Sequence, residues 1–271
     1  MKPHLFYSIL TVSILLFAVY GCGRAAPTPV VHPTGVQTSL TRTASASAKQ
    51  TQDANRSTVT PSPTATQTLT PTPRISLNGT SLEEMEDQAT LFTDHKLGYQ
   101  LTLPSGWLPV RINEDEYYKA FTLEAVSENP TFVKFLTILQ NQDSDYVRVA
   151  ALDIRPEQAE KGFVSGITVV LQPETTITVD EWAKIGSTHA GAKGYQLLKL
   201  QFEETVAGIR MLVREESWDS PKEAKVYRKR VFFSLPSGVL TIDFETGLDA
   251  KETLLPEFDQ AINSFEMLDK P

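Results

Sequence analysis

Apolar positions fall into three regimes along this chain. Residues 5–20 are continuously apolar or small, residues 23 to about 80 follow no period, and from Thr90 onward apolar side chains recur at strand and helix spacings. In the periodic region, Thr90-Leu91-Phe92-Thr93 and Tyr99-Gln100-Leu101-Thr102-Leu103 predict a hairpin turning at 95–98. Pro104-Ser105-Gly106 stops the second strand, and Trp107 follows it. A further strand is expected over 118–126. Pro130 stands at a favoured first-turn position, with Phe132, Phe135, Leu136 and Leu139 at i, i+3, i+4 and i+7, which predicts a helix. A strand at 147–154 and a second apolar run at 163–171 come next. Thr178 with Glu181 three residues on forms a capping box, opening a helix whose inner face carries Trp182 and Ile185 and which Gly191 and Gly194 end.

The last third alternates with period two. Leu198, Leu200 and Phe202 point one way; so do Ile209, Met211 and Val213, then Tyr227, Val231 and Phe233, then Leu240, Ile242 and Phe244. Gly208, Asp219-Ser220-Pro221 and Pro236-Ser237-Gly238 separate these runs, so four successive strands form an antiparallel meander with one wetter face. Phe258, Ala261, Ile262 and Phe265 repeat at helical spacing behind Pro256 and predict a closing helix. An apolar sheet face has to be covered, so the expected fold class is α+β, an antiparallel meander sandwiched by helices.

The ends of the first regime carry its chemistry. Residues 5–20 suit an export signal, and Val19-Tyr20-Gly21-Cys22 resembles a bacterial lipobox, with the small Gly21 immediately before the cysteine. The sole cysteine of the chain stands where a thiol is required to carry a diacylglyceryl group. The expected boundaries are a signal peptide over 1–21, cleaved between Gly21 and Cys22, and a lipid-anchored linker over 22–84. A globular domain follows over 85–271. With no second cysteine the exported domain has to stand without disulfides. The linker is rich in Pro, Thr and Ser, a composition that cannot bury enough surface to offset backbone entropy, so it is expected to be disordered. A coil of about 58 residues reaches ~40 Å.

Charge divides between the two parts. Residues 23–80 hold five basic side chains and one acid, whereas residues 81–271 hold 19 basic and 32 acidic, a net −13. Such a domain is repelled by nucleic acid and by anionic lipid, so no nucleic-acid partner is expected.

The stretch Lys96-Leu97-Gly98-Tyr99-Gln100-Leu101-Thr102-Leu103-Pro104-Ser105-Gly106-Trp107 resembles the opening of PsbP-like domains, the family of the extrinsic P protein of photosystem II. There a glycine-aromatic strand runs into a Pro-x-Gly-Trp turn. The closing segment 258–265, with Ser264-Phe265, resembles that family's last helix. The likeness spans most of residues 88–268 and implies an antiparallel sheet sandwiched by helices. The plant protein supports ion retention at the oxygen-evolving cluster. No matching ligand motif is present here, and the resemblance carries over no functional residue.

Signatures of catalysis are sparse. The chain has no Gly-x-Ser-x-Gly elbow, phosphate loop, His-Glu-x-x-His or Cys-x-x-Cys. His95 falls in a polar hairpin turn, and His189 continues the Trp182 face near a helix end, where positive charge suits the dipole. Glu114-Asp115-Glu116, Glu203-Glu204 and Glu215-Glu216 offer carboxylates for glycoside hydrolysis or a hard cation. Adjacent strand residues point to opposite faces, however, and the loop cluster lacks calcium-loop spacing. Trp107 and Trp182 read as core anchors. Arg210, Arg214, Arg228 and Arg230 fall near one another across the meander, beside Asp243 and Glu245. They read either as a polar binding face or as cross-strand charge pairs.

The expectation drawn from these features is a non-enzymatic binding or accessory domain on the extracytoplasmic side of a bacterial cell membrane. Its partners would be the membrane, through the anchor, and an envelope protein, with no cofactor. A hydrolase of envelope glycan with paired carboxylates and a carrier of a small apolar ligand stand as alternatives. A solid layer between sheet and helices points to protein partners, and a hollow one to cargo.

Overall fold

The computed structural model describes residues 74–156, 163–173, 178–188, 195–219 and 225–268. The expected signal peptide with Gly21 and Cys22, most of the expected linker, and His189 lie outside them, as do Gly191 and Gly194. Within the described residues two antiparallel sheets form. The smaller joins β1 (Thr80–Glu84), β2 (Thr90–Asp94), β3 (Tyr99–Leu103) and the short β11 (Glu266–Met267), in that order. The larger contains β4 (Trp107–Val110), β5 (Val147–Asp153), β6 (Gly166–Pro173), β7 (Tyr195–Glu204), β8 (Arg210–Asp219), β9 (Lys225–Leu235) and β10 (Gly238–Gly247). Its order is β4-β5-β6-β10-β9-β8-β7, antiparallel throughout. The helices are α1 (Asp115–Ala120), α2 (Glu124–Ser127), α3 (Pro130–Gln140), α4 (Val179–Thr188) and α5 (Lys251–Asn263). None of them is long and apolar enough to cross a membrane.

Alternation in the meander decides what packs where. Met211, Val213, Val231, Phe233, Leu240, Ile242 and Phe244 all enter one cluster with the small sheet and α5, as their period-two spacing predicts. Aromatic rings fill that layer. Phe233 stacks on Phe265 at 4.1 Å, Phe244 meets Phe258 at 4.7 Å, and Tyr99 meets Phe265 at 5.5 Å. On the opposite face α1, α2 and α3 cover Val147, Ala150 and Leu152, while Val179 and Trp182 of α4 cover Leu212, Phe232 and Val239. The α+β class is therefore present, with helices on both faces of the large sheet. The small sheet shares one of those faces with α5.

Three elements differ from expectation. Residues 118–126 form α1 and α2 instead of a strand. Tyr117 and Ala120 are buried three residues apart, Tyr117 Oη donates to Leu136 O at 2.8 Å, and Asp115 and Glu116 suit the positive end of α1. Tyr118 and Leu123, within the span expected to be a strand, are exposed. Second, the folded body begins ahead of 85, because β1 lies inside the span expected to be linker. Its sequence, Thr-Ser-Leu-Glu-Glu, has a single apolar residue and no pattern to read. It is held instead by backbone pairing with β2 and by two arginines: Arg111 Nη1 donates to Thr80 O at 2.6 Å, and Arg148 Nη2 to Asn78 O at 2.8 Å. Third, a register shift between Leu197 and Lys199 interrupts β7, and Leu198 and Phe202 are exposed.

Candidate functional site

The meander's outer face brings three of the four singled-out arginines together. Cross-strand pairing sets Arg214 beside Arg230 and Arg230 beside Asp243; in the next row Glu216 lies beside Arg228 and Arg228 beside Glu245. The six charges neutralise one another. Arg214 Nη2 lies 2.7 Å from Glu216 Oε2, Arg228 Nη1 donates to Glu216 Oε1 at 3.2 Å, and Arg230 Nη2 to Asp243 Oδ2 at 3.1 Å. Arg228 Nε bonds Glu245 and Arg230 Nε bonds Asp243. Arg228 also stands 4.7 Å above the Trp218 ring, on which Tyr195 stacks. Arg210 is placed apart, bonded to Asp180 at 3.0 Å and lying over Phe202 at 3.9 Å.

One row of this cluster is buried, and the row of Arg214, Arg230 and Asp243 is half-buried. Glu216, Arg228 and Glu245 expose only 2%, 5% and 8% of their surface. Burial pushes the Glu245 carboxyl up to about 7, with Arg228 pulling against it and Asp243 adding to the rise. Burial works against the Arg228 cation, yet Glu245, Asp243 and Glu216 outweigh it and hold that guanidinium above its usual range. In the described structure Arg214, Arg228 and Arg230 are engaged in an ion-pair grid with Glu216, Asp243 and Glu245. The cross-strand pairing reading accounts for its geometry.

An open site lies on the other side of the molecule, beside the Pro-x-Gly-Trp turn. Gly106 takes φ +78°, the left-handed conformation that the turn between β3 and β4 requires, and Trp107 N closes it onto Pro104 O at 3.4 Å. The turn aims the Trp107 indole at α5, where Nε1 donates to Glu257 Oε2 at 2.7 Å, while the ring packs edge-on against Phe258 at 5.8 Å. Arg155 completes the arrangement. Its Nε and Nη2 reach the two oxygens of Asp153, each at 2.8 Å, and its Nη1 and Nη2 reach Glu257 at 2.9 and 3.2 Å. Two bidentate carboxylates clamp one guanidinium, the geometry in which arginine pairs most strongly. The side-chain bond to Asp153 raises the Arg155 pKa against the opposing effect of burial. Around this clamp opens a cleft of about 530 Å³, lined by Asp87, Thr102, Ser105, Arg155, Glu257 and Gln260 among others. Trp107 was legible as an anchor, but its polar partner lies 150 residues away, and no local spacing marks Asp153, Arg155 and Glu257 as one group.

The remaining candidates sit in ordinary surroundings. His95 is exposed, with Nε2 2.9 Å from Ser81 Oγ. Glu116 pairs with Arg111 at 2.5 Å and Asp115 with Arg74 at 2.8 Å, while Glu114 precedes α1 as its N-cap residue. Glu203 pairs with Lys199 at 2.6 Å, and Glu215 lies 3.8 Å from the same lysine. Trp182 stacks on Phe232 at 5.5 Å as a packing residue. Among the described residues no group of three or more His, Cys, Asp or Glu is placed to hold a metal ion.

No family model matches the chain, and no curated protein matches it. Among solved structures, a Pseudomonas aeruginosa protein of unknown function aligns at TM-score 0.34 and 14% identity, over 40% of this chain and 74% of that one. Cyanobacterial PsbP from Synechocystis aligns at TM-score 0.43 and 14% identity, over 68% of this chain and 94% of that one.

Proposed function

We propose that this chain is a lipid-anchored accessory domain of a bacterial envelope, PsbP-like in fold, non-enzymatic, and held outside the cytoplasmic membrane by acylated Cys22. It recognises an envelope protein through its surface, at the cleft beside Trp107. The observation that carries this reading is the filled layer between the large sheet and α5. There Phe233, Phe244, Phe258 and Phe265 pack ring against ring and are each 0% exposed. A layer of that density leaves recognition to the exterior and argues against an apolar cargo. Of the cleft carboxylates, Glu257 is already engaged by Arg155 and Trp107, which supports a rigid recognition surface over a hydrolytic pair.

Photocrosslinking in native membranes tests it. A photoreactive residue at Ser105 or Gln260 is expected to capture one protein repeatedly, and the same residue at the exposed Gln140 of α3 is not. Release of sugar from envelope glycan by the purified chain would overturn the reading, as would a membrane in which none of these positions yields a heterologous adduct.

A further inference from the structure

Among the described residues β7 is the terminal strand of the seven-stranded sheet, and it is ten residues long. Sheet edges of that length are normally shortened, covered or guarded, because a free row of backbone groups templates another strand. Apolar surface collects along this edge: Tyr195, Leu198 and Phe202 are exposed at 38%, 42% and 38%, and Val206 just beyond it at 85%. The irregularity between Leu197 and Lys199 bends the first part of the strand and leaves residues 199–204 in regular register with β8.

That regular stretch reads Lys-Leu-Gln-Phe-Glu-Glu and is complementary to itself. Laid antiparallel on a second copy about Gln201, it sets Lys199 opposite Glu203 and Leu200 opposite Phe202. Opposite charges and apolar pairs directly across two strands are the favourable combinations. The two kinds of pair also segregate by face. Lys199 and Glu203 share the side of Glu215 and Met211, whereas Leu200 and Phe202 share the side of Arg214 and Leu212. Leu200 already packs against the α4 cluster, so its pairing with Phe202 of the other copy continues that cluster across the dyad. Within one chain Lys199 and Glu203 pair at 2.6 Å with side chains 32% and 28% exposed, so both charges stand at the edge where a second copy would meet them. A lysine on an edge repels most foreign strands, but this one is matched by a glutamate that the same sequence supplies.

We propose that β7 is a homodimerisation edge. Two copies pair antiparallel through residues 199–203 about a dyad at Gln201, and their large sheets join into one. The contact is isologous, as a two-fold dimer requires.

Charge exchange tests it on the full chain in detergent, followed by sedimentation equilibrium. Lys199→Glu sets Glu opposite Glu, and Glu203→Lys sets Lys opposite Lys; each variant alone is expected to dimerise about tenfold more weakly than the parent. Mixed one to one, they restore both cross-dyad pairs and are expected to form a heterodimer of near-parental affinity, a result that pairing inside one chain cannot produce. Gln201→Cys in a Cys22→Ser background gives an independent reading. A short bis-maleimide is expected to link two copies at position 201 and not at Gln140→Cys on α3. A parent chain that sediments as a monomer throughout, single variants that associate as tightly as the parent, or equal linkage at positions 201 and 140 would each overturn the proposal.

Discussion

Asp94 and Arg148 bury opposite charges at 0% and 2% exposure, joined at 2.7 Å from Nε to Oδ2. Each is satisfied further. Asp94 Oδ1 accepts from Leu97 N at 2.9 Å, and Arg148 also reaches the carbonyls of Asn78 and Ser144. Arg148→Met strands a carboxylate in the interior and is expected to cost about 3–5 kcal/mol, read as a fall in the urea midpoint. Adding Asp94→Asn should recover part of that loss, because no unpaired charge then remains. Glu245 gives a second residue-scale test, with the sign set by its raised pKa. A carboxyl near 7 in the fold and near 4.5 when unfolded holds its proton more tightly in the native state. Its stabilisation is complete below about 4.5 and is lost as pH rises through about 7. The stability difference between the parent and Glu245→Gln should therefore tilt against the parent across that window. A flat difference would show that Glu245 titrates in the ordinary carboxylate range.

Elements whose cause is local were legible before the structure. The Thr178–Glu181 capping box is present reciprocally: Thr178 N donates to Glu181 Oε2 at 2.7 Å, and Glu181 N to Thr178 Oγ1 at 3.2 Å. Thr178→Ala is expected to cost about 1 kcal/mol, measurable by chemical denaturation. Pro130 opens α3, and the meander follows its alternation from β8 to β10. Elements held from a distance were not legible. β1 and the turn before it owe their place to Arg111 and Arg148, contacts spanning 31 and 70 residues. A chain beginning at residue 85 is accordingly expected to melt well below one beginning at residue 74. The cleft was hidden for the same reason, since Arg155 reaches Glu257 across 102 positions. The arginine face shows the converse. Its clustering could be read from strand alternation, but the burial of Glu216, Arg228 and Glu245 could not, because it depends on what packs around them.

At the scale of the whole molecule, the acidic body, its filled interior and the single cysteine support the proposal of a recognition domain held at a membrane. The net −13 of residues 81–271 disfavours direct adhesion to anionic lipid, so under that proposal attachment falls to an acyl anchor at Cys22. Mass spectrometry of the native protein tests that attachment most directly. The N-terminal peptide is expected to begin at Cys22, carry acyl chains on the sulfur and the new amino terminus, and partition with membranes. A bare Cys22 within an uncleaved chain recovered from the cytosol would contradict it.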